Sequence, residues 1–292
     1  MTGHYLIVGG ESQLGTSLAD QLRKTGSRVL TTTCFRQSLP PYDLFLDLAE
    51  EVEDWRPPRG VETTFICSAV TSLAACRNDP AKSRLINVTH MAGIAEKIVA
   101  RGSSIVFFST NLVFDGASPW LEAKAPPAPR TEYGRQKSEA EKLLSLLGPK
   151  VSIVRMTKII GPGFSLLADW MAKLKSGRPL NPFSDMVMAP VSLDFAVSAI
   201  LGIARLDQGG VWQISAKEDM TYEQAAGRLA DGLGADPRLI QPVKARASGL
   251  DLEHLPAYTS LDASRLAREL GLEPPDPFEA IDRFLKSQDS GV

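Results

Sequence analysis

Val8-Gly9-Gly10-Glu11-Ser12-Gln13-Leu14-Gly15 is the stretch whose reading decides the fold. The apolar run Tyr5-Leu6-Ile7-Val8 precedes it, and an amphipathic segment of helical length, Gln13 to Lys24, follows and ends at Thr25-Gly26. A strand that turns through glycines into a helix aims backbone N–H groups and the positive helix end at one spot, which suits an anion such as a pyrophosphate. Gly9 and Gly15 fill the first and last places of a Gly-x-x-Gly-x-x-Gly pattern, while Ser12 stands in the middle. A plain tight turn would use the same residues, so the surroundings have to decide.

Outward from this turn, short apolar runs alternate with helical stretches. Strands are expected at Arg28–Thr32, Leu44–Leu46, Thr64–Cys67, Ser104–Phe108 and Val151–Val154, and helices over Pro80–Ala100 and Thr131–Leu147. This alternation predicts an α/β fold, a doubly wound parallel sheet of the Rossmann kind, with a smaller C-terminal α/β substrate lobe. The expected dinucleotide-binding domain spans 1–160, with 190–215 woven back into it; 161–189 and 216–292 form the lobe. Its helices are expected near Leu166–Lys175, Leu193–Arg205, Tyr222–Gly232 and Pro277–Ser287. Leu143, Leu144 and Leu147 are read as one apolar stripe, and the prolines of Gly116–Arg130 as a surface loop.

The 292 residues are 43% apolar, enough to fill a core, and 32 basic against 34 acidic side chains give a net charge of -2. Neither nucleic acid nor an anionic membrane is therefore expected as a partner; a small molecule is. Cys34, Cys67 and Cys76 match no zinc or disulfide spacing, and His4, His90 and His254 no ligand spacing, so no metal is expected. Met1-Thr2-Gly3-His4 runs straight into the first strand without a basic leader, and the expected location is the cytoplasm.

In a sheet of this kind the end of the second strand chooses between ribose hydroxyls and a 2′-phosphate. Here it reads Thr31-Thr32-Thr33-Cys34-Phe35-Arg36, with no carboxylate. Thr33 and Arg36 suit a phosphate, which favours NADP(H) and leaves NAD(H) admissible. Glu11 works in the opposite sense, and Arg36 is equally readable as a solvated surface charge.

Tyr133-Gly134-Arg135-Gln136-Lys137 places a phenol and an ammonium one turn apart on a helix face. A free tyrosine, with a pKa of about 10, exchanges protons poorly near neutrality, and a nearby cation is expected to bring it down. Thr110, at the end of the fifth strand, is placed to orient a carbonyl, with Ser109 as the alternative; either could instead cap the strand end.

Together these pieces resemble the extended short-chain dehydrogenase/reductases, and among them the dTDP-4-dehydrorhamnose reductase (sugar nucleotide-binding) family. Ser109-Thr110-Asn111-Leu112-Val113-Phe114-Asp115-Gly116 is similar to that family's Ser-Thr-Asp-Tyr-Val-Phe-Asp-Gly, and Pro119-Trp120-x-Glu122 and the Tyr133/Lys137 pair follow. Further similarity runs through Gln13-Leu14-Gly15, Leu46-Asp47-Leu48, Val70-Thr71, Asn87-Val88 and Tyr258 to Leu266. The resemblance implies Thr110, Tyr133 and Lys137 as a catalytic triad. It implies Gly9, Ser12, Gln13, Leu14 and Gly15 around the pyrophosphate, Asp47 and Leu48 at the adenine, and Ser68, Ala69 and Thr71 at the middle of the cofactor, with Tyr133 and Lys137. Thr71, Thr110, Asn111, Leu112, Trp120 and Tyr133 would face the substrate.

The activity so implied is NAD(P)H-dependent reduction of a 4-keto group on a nucleotide-activated deoxysugar, with a homodimer admissible. Two alternatives stand beside it: an epimerase or dehydratase holding NAD tightly, and a non-catalytic dinucleotide-binding subunit like the beta subunit of methionine adenosyltransferase. The chain departs from the family at Asn111 and Leu112, at Lys158, where a serine-tryptophan pair is usual nearby, and before Pro256, where an arginine is usual.

Overall fold

Strand β5 (Ser104–Thr110) is buried along its whole length, as a strand covered by helices on both faces must be. It belongs to a sheet that comprises, among the described residues, seven strands in the order β3-β2-β1-β4-β5-β6-β10. These are β1 (His4–Val8), β2 (Arg28–Thr33), β3 (Leu44–Phe45), β4 (Thr63–Ile66), β5, β6 (Val151–Met156) and β10 (Gly210–Ile214); β7 (Ile159–Ile160), β8 (Val187–Met188), β9 (Val191–Ser192) and β11 (Met220–Thr221) form two small two-stranded sheets. Pairing is parallel from β3 through β5, with Ile7 opposite Thr31 and Val8 opposite Ile66. Chain order reverses between β1 and β4, so the carboxyl ends of these two strands frame a crevice. The computed structural model describes residues 3–38, 42–248 and 253–289; Met1 and Thr2, used above in reading the chain start, lie outside them.

The helices are α1 (Gln13–Lys24), α2 (Leu73–Asn78), α3 (Pro80–Arg84), α4 (Met91–Ala100), α5 (Glu132–Ser145), α6 (Ser165–Lys175), α7 (Leu193–Leu206), α8 (Tyr222–Leu233), α9 (Ser264–Leu270) and α10 (Pro277–Asp289). Ser12 caps α1, Asp79 caps α3 ahead of Pro80, Thr131 caps α5, and a Thr221/Gln224 capping box opens α8. The expected helix over Pro80–Ala100 is interrupted by a π turn at Leu85–His90. There the fully buried Asn87 side chain bonds the Val70 N–H and C=O and the Gln136 amide, a set of partners outside its own helix. Leu143 does not join the stripe, being 37% exposed. The buried face of α5 runs instead through Tyr133, Lys137, Ala140, Glu141 and Leu144, at helical spacing.

The chain divides into two units. Unit 1 comprises Met1–Phe114, Pro126–Arg155 and Val197–Trp212; its core packs Leu6, Val8, Ile66, Ile94, Ile98, Phe107 and Leu144. Unit 2 comprises Asp115–Ala125, Met156–Ala196 and Gln213–Val292, with a core of Trp170, Leu174, Met188, Tyr222, Leu229, Ile281 and Phe284. Within unit 2, Asp219 accepts from the backbone N–H and hydroxyl of both Thr259 and Ser260, at 2.5 to 3.2 Å, which anchors the chain ahead of α9. Among the described residues no helix is long and apolar enough to cross a membrane.

Leu144 is fully buried in the unit 1 core. A Leu144→Ala variant should lose about 2–5 kcal/mol of stability through lost transfer energy and the cavity left behind, read as a lower midpoint in urea. Leu143→Ala, on the exposed side of the same turn, should change the midpoint little.

Candidate active site

The glycine turn occupies the carboxyl end of β1. Gly9 has φ +85°, and a Cβ there would lie 2.4 Å from Ser68 Oγ and 2.9 Å from the Ser68 backbone nitrogen, so only glycine fits. A Cβ on Gly15 would meet the Gly9 carbonyl oxygen at 2.4 Å. Ser12, where the pattern asks for glycine, has an ordinary extended backbone with φ -69°. Its hydroxyl donates to the Gly9 carbonyl and accepts from the Gly15 N–H, tying the turn together from inside. The N–H groups of Gln13 and Leu14, in the first helical turn, have no acceptor within the helix and are available to an anion.

Beside the turn lies a cleft of about 280 Å³ lined by Gly9, Ser12, Asp47, Leu48, Ser68 and Ala69, six of the expected cofactor residues, together with Glu11, Cys34, Leu46, Cys67, Val70 and Ile86. Thr71 is exposed and not part of this lining. A lining that joins the turn residues Gly9 and Ser12, just ahead of the free helix-end N–H groups, with the apolar side chains of Leu46, Leu48 and Ile86 fits a phosphate-bearing, aromatic ligand such as a dinucleotide. At the end of β2, Thr33 is fully buried and its hydroxyl accepts from the Phe35 N–H, so it turns away from the cleft. The Arg36 guanidinium stacks on the Phe45 ring, 3.7 Å from its centre, and pairs with Glu50 at 3.1 Å. Glu11 reaches the same strand end, accepting from the Cys34 N–H and thiol at 3.3 Å. Burial, with the Glu11 carboxylate beside it, pushes the Cys34 thiol up to about 11.

The first turns of α5 pack against the short turn Asn111–Val113 that leaves β5; a Cβ on Gly134 would be 2.1 Å from the Leu112 carbonyl oxygen. This close approach brings Tyr133 and Lys137 to the strand end that carries Thr110. Tyr133 is 9% and Lys137 3% exposed. The Lys137 ammonium sits 4.1 Å from the centre of the Phe107 ring on β5, a cation–π contact in a dry setting. Burial lowers Lys137 to about 8 and pushes the Tyr133 phenol well above the usual tyrosine range. The sequence-based expectation was that the lysine would bring the phenol down; here desolvation outweighs any such effect. Thr110 Oγ1 accepts from the Leu112 N–H at 3.2 Å and donates to Asn111 Oδ1 at 3.4 Å, a long bond that a better-placed acceptor would displace. Ser109 is committed elsewhere, its hydroxyl donating to Glu141. Asn111 and Leu112 border Thr110 in the turn. Trp120 belongs to unit 2; it has φ 52°, and its indole N–H donates to the Lys217 carbonyl at 2.7 Å.

Two buried groups were missed in the sequence. Asn87 clamps Val70, which lines the cleft, and bonds Gln136, which neighbours Lys137 on α5 and in turn bonds Ser83 and Glu132. This network joins the cleft to the helix that bears the phenol. Glu141 lies four residues beyond Lys137, and that spacing alone could have flagged it.

The chain matches the model of the RmlD substrate binding domain family over residues 3–290. It is 29% identical over 280 residues to the dTDP-4-keto-6-deoxy-D-glucose reductase of Streptomyces niveus, covering 94% of this chain and 93% of that protein. It is 25% identical to the spore coat polysaccharide biosynthesis protein SpsK of Bacillus subtilis over 98% of both chains. A crystal structure of dTDP-4-dehydrorhamnose reductase from Bacillus anthracis in complex with NADP superposes with a TM-score of 0.84 at 21% identity, covering 98% and 99% of the two chains. A parallel sheet reversed at a glycine turn, a buried Tyr133/Lys137 pair beside Thr110, and a family match along nearly the whole chain agree: this protein belongs to the RmlD substrate binding domain family.

Proposed function

We propose that the protein is an NAD(P)H-dependent reductase of a 4-keto group on a nucleotide-activated deoxysugar, with NADPH preferred and NADH accepted. The observation that carries this reading is the burial of Tyr133 and Lys137, one turn apart on α5, next to the strand-end hydroxyl of Thr110. Gly9, Ser12, Gln13, Leu14 and Gly15 would hold the pyrophosphate, Asp47 and Leu48 the adenosine, and Ser68 and Ala69 the middle of the cofactor. When bound, the reduced nicotinamide supplies the hydride that goes to the carbonyl carbon.

The chain's own residues handle the oxygen. Thr110 donates a hydrogen bond to the carbonyl and fixes its direction. Tyr133, kept protonated by its dry surroundings, gives its proton to the oxygen as negative charge develops there. Reduction needs the acid in its protonated form, so a raised phenol suits this direction of reaction. The Lys137 ammonium then offsets the phenolate that remains, and its charge counts for more because water is excluded. The names of two relatives, a dTDP-4-keto-6-deoxy-D-glucose reductase and a dTDP-4-dehydrorhamnose reductase, support the substrate class, and the cytoplasm is the location proposed for the chain.

The test is to mix the protein with NADPH and a dTDP-4-keto-6-deoxyhexose and follow loss of NADPH absorbance. Turnover is expected, and in Tyr133→Phe it should fall by about 10²–10⁴-fold, the range for loss of a positioned proton donor, with cofactor affinity little changed. Unchanged turnover in that variant would overturn the mechanism. Gly9→Ala should act on the other half of the site. The strained backbone and the collision with Ser68 would displace the turn, so NADPH affinity measured by calorimetry should drop by about tenfold or more, the equivalent of 1–2 kcal/mol of left-handed strain.

A further inference from the structure

Glu141 is buried beneath the site, 5% exposed, and follows Lys137 by one turn on the same face of α5. Its carboxylate receives Arg155 Nε at 3.0 and 3.2 Å and the terminal guanidinium nitrogen at 2.7 Å, and the Ser109 hydroxyl at 2.5 Å. Arg155, on β6, is itself 4% exposed and faces the Phe114 ring at 4.9 Å. A carboxylate gripped by a guanidinium and a hydroxyl has its lone pairs satisfied and its direction fixed. Ser109 is the residue before Thr110, so the cluster touches both the strand and the helix that carry the proposed chemistry.

Buried ion pairs are seldom worth more than apolar packing of the same volume, so this one invites an explanation other than stability. Desolvation opposes the charge on Lys137, and a fixed anion one turn away opposes desolvation. The other groups bearing on Lys137 cannot replace it. Tyr133 on the same helix is neutral, Cys76 of α2 is a buried thiol bonded to the Val70 carbonyl, β5 presents the Phe107 ring, and the π turn presents the uncharged Asn87 while His90 is turned to the Leu48 carbonyl.

We infer that Glu141, fixed in place by Arg155 and Ser109, is a positioning residue that holds the Lys137 ammonium in its charged form at neutral pH. This rests on the role given to Lys137 above. Arg155 carries the opposite charge to Glu141, so removing both members of the pair costs Lys137 less support than removing Glu141 alone.

The test uses the full-length protein labelled with 13C-lysine, the Lys137 signal being assigned by its loss in Lys137→Arg. In the parent its titration midpoint is expected at about 8. In Glu141→Gln the midpoint should fall by roughly one unit or more, the size of effect an opposite charge at this range exerts, and the alkaline limb of kcat should move the same way. That variant leaves Arg155 buried without its anion, which threatens folding. The double variant Glu141→Gln, Arg155→Gln has no stranded charge and should show a smaller fall of the midpoint in the same direction. A midpoint that stays at the parent value in a folded Glu141→Gln or in the double variant would overturn the inference and leave the cluster a purely structural one. The signal reports on Lys137 whether or not any keto-sugar is reduced, so failure of the proposed activity and failure of this inference are read separately.

Discussion

A lysine ammonium held against the face of Phe107, 4.1 Å from the ring centre and 3% exposed, has given up its water and must be repaid by its neighbours. The ring offers a quadrupole, and Glu141 a full negative charge one turn away. Those partners in turn require that α5 lie flat on β5, because Phe107 and Ser109 alternate with the strand period while Lys137 and Glu141 follow the helix period. Once that packing is set, Tyr133 has one place to go: the first turn of α5, at the carboxyl end of the sheet.

That placement depends on small residues and amide clamps rather than on the acid–base groups themselves. Gly134 lets the Leu112 carbonyl approach where any Cβ would collide. Thr131 caps the helix, its hydroxyl accepting from the Gly134 N–H, and so fixes the first turn, to which Tyr133 belongs. Asn87 fixes Val70 through both backbone groups and hands its remaining donor to Gln136, which links the loop after β4 to α5. The π turn around Asn87 is the local cost of this arrangement, since the residue turns its amide to partners outside its own helix.

Much of this was legible because it obeys local rules. The glycine turn, the alternation of strands and helices, the helix starts at Pro80 and Thr131 and the offset between Tyr133 and Lys137 depend on neighbours in the chain. Groups whose partners are distant in sequence were not. The seventh strand, Gly210–Ile214, pairs with β6 inside the stretch 190–215 expected to weave back, yet nothing in its own five residues marks its place at the edge of this sheet. The outward turn of Leu143 follows from which side of α5 Lys137 buries, and the sign of the Tyr133 shift from a dryness that only packing creates. Ser12 is instructive in the other direction. It departs from the glycine pattern, and its extended backbone and inward hydroxyl make it a cap and a crosslink.

The same distinction bears on the cofactor. At the end of β2 both signs of charge are present, and each already has a partner: Glu11 bonds Cys34, and Arg36 pairs with Glu50 over Phe45. Both attachments are open to water. Arg36 and Glu50 are 68% and 55% exposed, and an ion pair that open to water contributes little and is readily exchanged. Glu11 is itself exposed, and its 3.3 Å bond from the Cys34 N–H lies at the surface, where water replaces it at little cost. In the proposed reading, a 2′-phosphate therefore gains Arg36 at small cost with Glu11 opposing it, and an unphosphorylated ribose loses the arginine but finds in Glu11 an acceptor for its hydroxyl. Preference without exclusion is what such a pair of opposed, exposed charges produces.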